Sequence, residues 1–201
     1  MDQVLEVLKT ELEEFGEEND AVESERSHCM LNITRDTGEL LSVLIRATSA
    51  KDILEIGTSN GYSTLWLAEA AKVNNGHVTT VEYLKLKQKL ALNNFHRSGL
   101  SNWIKSVLSD AGQVLEQLDD TSVDFIFLDS ERSEYVSWWN HINRILRPRG
   151  LLVVDNALSH VDEMAAFSEV LKSDPDFEVC LVPVGKGELI ATKSCLLNKA
   201  L

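Results

Sequence analysis

The sequence predicts an α/β fold, a mostly parallel sheet with helices on both faces and one antiparallel strand at the end. Three observations predict it. Five short apolar runs alternate with helical patterns between residues 52 and 172, the pattern of strands joined by crossover helices. Two further apolar runs close the chain with only "PVGKG" between them, a hairpin spacing. An acidic residue also lies at or beside the carboxyl end of each of the first five runs.

Apolar residues at Val4, Leu5, Leu8, Leu12 and Phe15 keep helical spacing and predict an amphipathic helix at the start. "GEENDAVESERSH" (16–28) is polar and reads as loop, and "TGELLSVLIRAT" (37–48) as a second helix. Strands are expected at 52–56, 77–81, 104–108, 123–128, 151–155, 177–183 and 188–192, with helices at 62–73, 84–98, 111–118, 134–146 and 162–172. Turn chemistry falls at Asn74-Asn75-Gly76, Arg147-Pro148-Arg149-Gly150 and Ser173-Asp174-Pro175. With no internal repeat or linker, the chain divides into an N-terminal helical extension (1–29) and one α/β domain (30–201).

A chain of 201 residues with 44% hydrophobic and 25% charged residues has ordinary globular composition. Its net charge of −13 argues against nucleic acid and against an anionic membrane surface, both of which need clustered Lys and Arg. Cys29, Cys180 and Cys195 have no motif spacing and read as reduced thiols. The first residues lack a basic segment followed by an apolar one, and no stretch approaches a membrane span, so a soluble cytoplasmic protein is expected.

Ligands of an open parallel sheet bind beyond the carboxyl ends of its strands. Those ends read Glu55-Ile56-Gly57, Glu82-Tyr83, Ser109-Asp110, Asp129-Ser130 and Asp155-Asn156. Helix capping could account for any one acid. Five together point to a shared polar site. The loop Gly57-Thr58-Ser59-Asn60-Gly61 has one glycine too few for a dinucleotide turn and lacks the Lys of a phosphate-binding loop. An E-x-G-x-x-x-G loop with Glu82 closing the second strand fits a nucleoside without phosphates, its ribose hydroxyls taken by the acid.

The segments "LNITRDTGELL", "ILEIGTSNGYSTLWLA", "FIFLDSERSEY" and "VVDNAL" resemble the class I S-adenosylmethionine-dependent methyltransferases, in particular the cation-dependent O-methyltransferases that include catechol and caffeoyl-coenzyme A methyltransferases. The resemblance covers about residues 30 to 195 and implies a Rossmann-like, doubly wound, seven-stranded sheet. It implies that Leu31, Asn32 and Ile33 lie against the methionine end of S-adenosylmethionine, and that Glu55, Gly57, Thr58 and Ser63 surround its carboxylate and amino group. Glu82, beside Tyr83, would hold the ribose, and Asp110 and Ala111 would border the adenine, with Asp129 closing the cofactor site. The family's acid-led turn near Tyr83-Leu84 is absent.

In the family's strand order the fourth strand lies beside the first and the fifth comes next, with about 4.8 Å between neighbours. Asp129 can therefore converge with Asp155 and Asn156, and two carboxylates with an amide oxygen suit a hard divalent cation, magnesium first, calcium or manganese otherwise. These are the family's metal-ligand positions. Where the family commonly has a lysine base, this sequence has Arg132. A guanidinium stays protonated, so Arg132 can stabilise a phenolate or recognise an anionic acceptor, but it cannot take a proton. "ALSHVDEMAAF" is shorter than the family's acceptor loop. His160 reads as solvated, and Trp138 and Trp139 as core or interface packing.

The function implied is methyl transfer to a hydroxyl of a small, catechol-like acceptor chelated by a cation, by a homodimer. The alternatives are a methyltransferase of the same fold with a non-catechol acceptor, a cofactor-binding protein without catalysis, and a nicotinamide-dependent dehydrogenase, which the glycine spacing disfavours.

Overall fold

The computed structural model describes residues 3–195. The expected division into 1–29 and 30–201 also takes in residues 1, 2 and 196–201, which lie outside the described residues.

Seven strands form one sheet: β1 (Asp52–Ile56), β2 (His77–Glu82), β3 (Ile104–Leu108), β4 (Val123–Leu128), β5 (Leu146–Val154), β6 (Phe177–Val182) and β7 (Glu188–Lys193). Their order is β3-β2-β1-β4-β5-β7-β6. The first five pair in parallel, and β7 runs antiparallel to both β5 and β6. Among the described residues seven α-helices accompany them: α1 (Gln3–Val22), α2 (Arg35–Thr48), α3 (Tyr62–Val73), α4 (Lys85–Arg97), α5 (Ala111–Gln117), α6 (Tyr135–Ile145) and α7 (Val161–Ser173).

Strand residues alternate between two cores because successive side chains leave a strand on opposite faces. Ile53, Phe125, Phe127 and Val153 pack with α1 to α4, while Leu54, Ile126, Leu128 and Leu152 pack with α5 to α7. Each fully buried side chain of this size contributes roughly 1.5–3 kcal/mol. Strand order reverses between β1 and β4. A crevice opens beyond the carboxyl ends at such a switch point, and there the polar strand ends collect.

Two expectations are corrected. The first helix continues to Val22, through residues expected to be loop. Gly16 does not stop it, because the helix is held from outside. A Cβ at Gly16 would lie 2.5 Å from Asn32 Nδ2, and this same nitrogen donates to the Leu12 carbonyl at 2.8 Å. Packing here overrides glycine's low helix propensity. The turn expected at Arg147-Pro148-Arg149-Gly150 is an irregularity inside β5. Leu146 pairs with Val123 and Leu151 with Phe125, so the residues between bulge outward. Pro148 has no N–H for the ladder, and Arg149 takes φ +68°.

Candidate functional site

A cavity of about 650 Å³ opens at the carboxyl ends of β1, β2 and β4, within the usual size for a small-molecule site. The loop between β1 and α3 forms its floor. Gly57 and Gly61 hold that loop with φ of +107° and +88°. At both, the side on which a Cβ would stand is already filled. A Cβ at Gly57 would lie 1.9 Å from the Asp129 carbonyl oxygen, and one at Gly61 would lie 2.5 Å from the Phe95 ring. The loop can turn so tightly only with glycine at both positions.

Glu82 lines the cavity and binds the loop to β2. Its Oε2 accepts the Ser59 N–H at 2.8 Å and its Oε1 the Leu84 N–H at 2.8 Å. The carboxylate is thereby fixed in direction while each oxygen keeps a lone pair. Glu55 does not line the cavity. It is fully buried one layer behind, accepting the Ser63 and Thr64 hydroxyls at 2.5 Å each. Burial pushes its carboxyl up to about 7, with the three hydroxyls of Ser63, Thr64 and Thr80 opposing. Its part is to orient Ser63, which does reach the cavity.

Leu31, Asn32 and Ile33 form one wall, with Gly57 and Thr58 below them. Tyr83, Asp110 and Ala111 lie along the opposite rim. Of the five strand-end acids only Asp110 caps a helix, accepting the Gln113 N–H at 3.0 Å at the start of α5. Capping therefore does not explain the others. Three of the five buried side-chain polar atoms without a partner among the described residues belong to cavity-lining residues: Asn32 Oδ1, Asn60 Nδ2 and Ser130 Oγ.

Asp129 and Asn156 meet in the cavity, with Asn156 Nδ2 donating to Asp129 Oδ1 at 3.1 Å. Asn156 takes φ +70°, and its Oδ1 faces Ser159 Oγ at 3.3 Å. Asp155 is buried behind them and does not line the cavity. Its Oδ1 accepts the Asn156 N–H at 2.6 Å. Desolvation, and then the charge of Asp155, push Asp129 up to about 8, and desolvation pushes Asp155 up as well. Behind the pair, burial and Asp155 push Glu188 up to about 9. Among the described residues no three His, Cys, Asp or Glu side chains are arranged to hold a metal ion. The donor set available is the two aspartates and the Asn156 amide, carboxylates crowded enough to resist ionising together and so suited to a cation's charge.

Arg132 is buried at the cavity edge, and its Nε donates to Glu163 Oε2 at 2.7 Å. His160, which reads from sequence as solvated, is half-buried in the cavity wall, with Nδ1 2.9 Å from Ser159 Oγ. Trp138 and Trp139 both belong to the core, as expected, but Trp138 also reaches the cavity. Lys87 and Lys186 line it too and were not singled out in the sequence. Lys87 lies two residues into α4, close enough to a strand end to have been found. Lys186 enters through the β6–β7 hairpin, at the carboxyl end of β6, which runs in the same direction as the first five strands.

A family model described as O-methyltransferase matches residues 10–194. The catechol O-methyltransferase of Niastella koreensis is 33% identical over 131 residues, 64% of this chain and 59% of its own length. This chain thus spans less than two thirds of that relative. The caffeoyl-CoA O-methyltransferase 2 of Petunia hybrida is 26% identical over 181 residues, 79% of this chain and 74% of its own. An O-methyltransferase of Streptomyces achromogenes involved in tomaymycin synthesis, solved in complex with SAM, matches with a TM-score of 0.78 at 24% identity, covering 97% of this chain and 91% of that one. This last likeness is one of fold.

Proposed function

The chain belongs to the O-methyltransferase family, and from that premise we propose that it transfers a methyl group from S-adenosylmethionine to a hydroxyl of a small, catechol-like acceptor held at a divalent cation. The observation that carries the reading is the opening of the glycine loop, Glu82 and the Asp129–Asn156 pair into one cavity at the strand-order reversal. Relatives named for catechol and caffeoyl-CoA support the acceptor class.

Glu82, already directed by two backbone N–H groups, would accept from the ribose hydroxyls. Ser63, Asn32 and Asn60, which line the cavity, would meet the amino-acid end. Asp129 would hold the cation with Asn156, whose amide would have to turn its oxygen toward Asp129, and Asp155, buried behind them, would have to turn a carboxylate oxygen forward to join them. When bound, S-adenosylmethionine supplies an electrophilic methyl, and the cation supplies charge that lowers the pKa of a chelated hydroxyl. The proton of that hydroxyl would pass to water, and Arg132, which cannot accept it, would stabilise the resulting phenolate. Holding both partners in one cavity replaces a bimolecular encounter by an oriented one.

The place of Arg132 in the cavity lining also favours a second reading, in which the acceptor is not a catechol and the guanidinium recognises it directly. Cytoplasmic residence and a homodimer belong to the proposal, and the free thiols of Cys29, Cys180 and Cys195 agree with the former. Among the described residues no helix is long and apolar enough to cross a membrane. Calorimetric titration with S-adenosylhomocysteine tests the cofactor half. Saturable one-to-one binding is expected, and heat only of dilution would remove the basis of the reading.

A further inference from the structure

Residues 28–33 run without regular structure between α1 and α2, yet Met30, Leu31, Asn32 and Ile33 supply a wall of the cavity. The support of that wall comes from the last turn of α1. Asp20 accepts the Met30 N–H through Oδ1 at 2.6 Å and the Leu31 N–H through Oδ2 at 2.7 Å. Asn19 donates to Asp20 Oδ1 at 2.9 Å and to the His28 carbonyl at 3.0 Å. Leu31 takes φ +53°, a left-handed conformation that a leucine keeps only when its surroundings hold it.

The opposite side of the segment is tied to the glycine loop. Ser59 Oγ donates to the Met30 carbonyl at 2.6 Å, and the Ser59 N–H reaches Glu82. One chain of hydrogen bonds therefore runs from α1, through Met30 and Ser59, to the end of β2, with Leu31 held beside it by Asp20. Lys87, nearly buried in the cavity wall, feels the charges of both Glu82 and Asp20. Asp20 itself does not line the cavity, so it touches no ligand.

We propose that Asp20 is a positioning residue for the cofactor: its carboxylate locks residues 30 and 31 against the glycine loop, so that this wall is formed before ligand enters. The proposal rests on the reading of the cavity as the S-adenosylmethionine site. A wall already ordered spares the ligand the entropy of ordering it, and the gain is seen in affinity.

The test compares Asp20→Ala, the conservative Asp20→Asn and a matched control, Asp124→Ala. Asp124 likewise accepts two consecutive backbone N–H groups, of Lys51 at 2.9 Å and Asp52 at 3.0 Å, but at the amino end of the sheet. Two readouts are taken on the full chain: S-adenosylhomocysteine affinity by calorimetry, and amide hydrogen exchange of Met30 and Leu31 without ligand. Asp20→Ala is expected to weaken binding about tenfold and to speed exchange at both amides. Asp20→Asn, which keeps one acceptor oxygen, falls between. Asp124→Ala lowers the melting temperature but holds affinity within about twofold. Wild-type affinity in Asp20→Ala overturns the role of Asp20, whatever the melting temperature does. Absence of binding by the wild type overturns the reading of the cavity, and the positioning role falls with it.

Discussion

Arg132 concentrates the chemistry of the site in one side chain. Buried and bonded to Glu163, it stands where the resemblance implies a lysine base, and it cannot release a proton in the working range. Charge stabilisation is the role left to it. Arg132→Ala is expected to lower kcat by roughly 10²–10³, the scale of losing one donor to a developing anion. No limb of the kcat profile between about pH 6 and pH 9 is expected to disappear, since no titrating base is lost, although a limb set by Asp129 or Asp155 moves to higher pH without the guanidinium's charge. Disappearance of a limb in the variant would reassign the residue. Its position three residues after Asp129 is legible in the sequence. Its partner Glu163 is not, because the two are joined only when α7 packs beside the end of β4.

At the scale of elements, the join between β1 and α3 holds the site together, and Glu55 is its pin. The family resemblance places Glu55, in the E-x-G-x-x-x-G loop, among cofactor contacts. Its strand neighbours Leu54 and Ile56 face one core, so Glu55 points to the other, beneath α3, where the Ser63 and Thr64 hydroxyls meet it. Its folded pKa of about 7 lies above the ordinary 4.5. The native state therefore binds this proton more tightly than the unfolded chain. The stability it contributes is complete below 4.5 and is lost as pH rises through 7. Relative to Glu55→Gln, the wild type is expected to lose roughly 2–3 kcal/mol between about pH 5 and pH 8, at about 1.4 kcal/mol per pKa unit. Urea unfolding at the two pH values checks this, and parallel slopes in the two proteins would contradict it. The bulge in β5 gives a related lesson about elements. Pro148 and Gly150 announce a break, but only the register with β4 shows that the strand resumes on both sides of it.

For the whole molecule, the alternation of apolar runs and helical patterns carries most of the architecture, because each strand and each crossover helix writes its own period into the chain. Strand order is a different matter. It comes from packing, and without it Asp129, Asp155 and Asn156 are three acidic or amide residues at two separate strand ends. That the last hairpin returns to the same edge of the sheet and brings Lys186 to the cavity, and that Asp20 supports the wall, become visible only in three dimensions. So does the contribution of α1, which reads as an appendage but whose Asp20 and Leu12 carbonyl tie down residues 30 to 32. The measurement that bears most directly on the whole is transfer of labelled methyl from S-adenosylmethionine to a panel of catechols, with magnesium and then with excess chelator. Turnover that needs both the catechol and the cation is the expected result. Undiminished turnover in chelator would contradict the cation-held acceptor, and no transfer to any catechol by protein that binds S-adenosylhomocysteine would contradict the acceptor class itself.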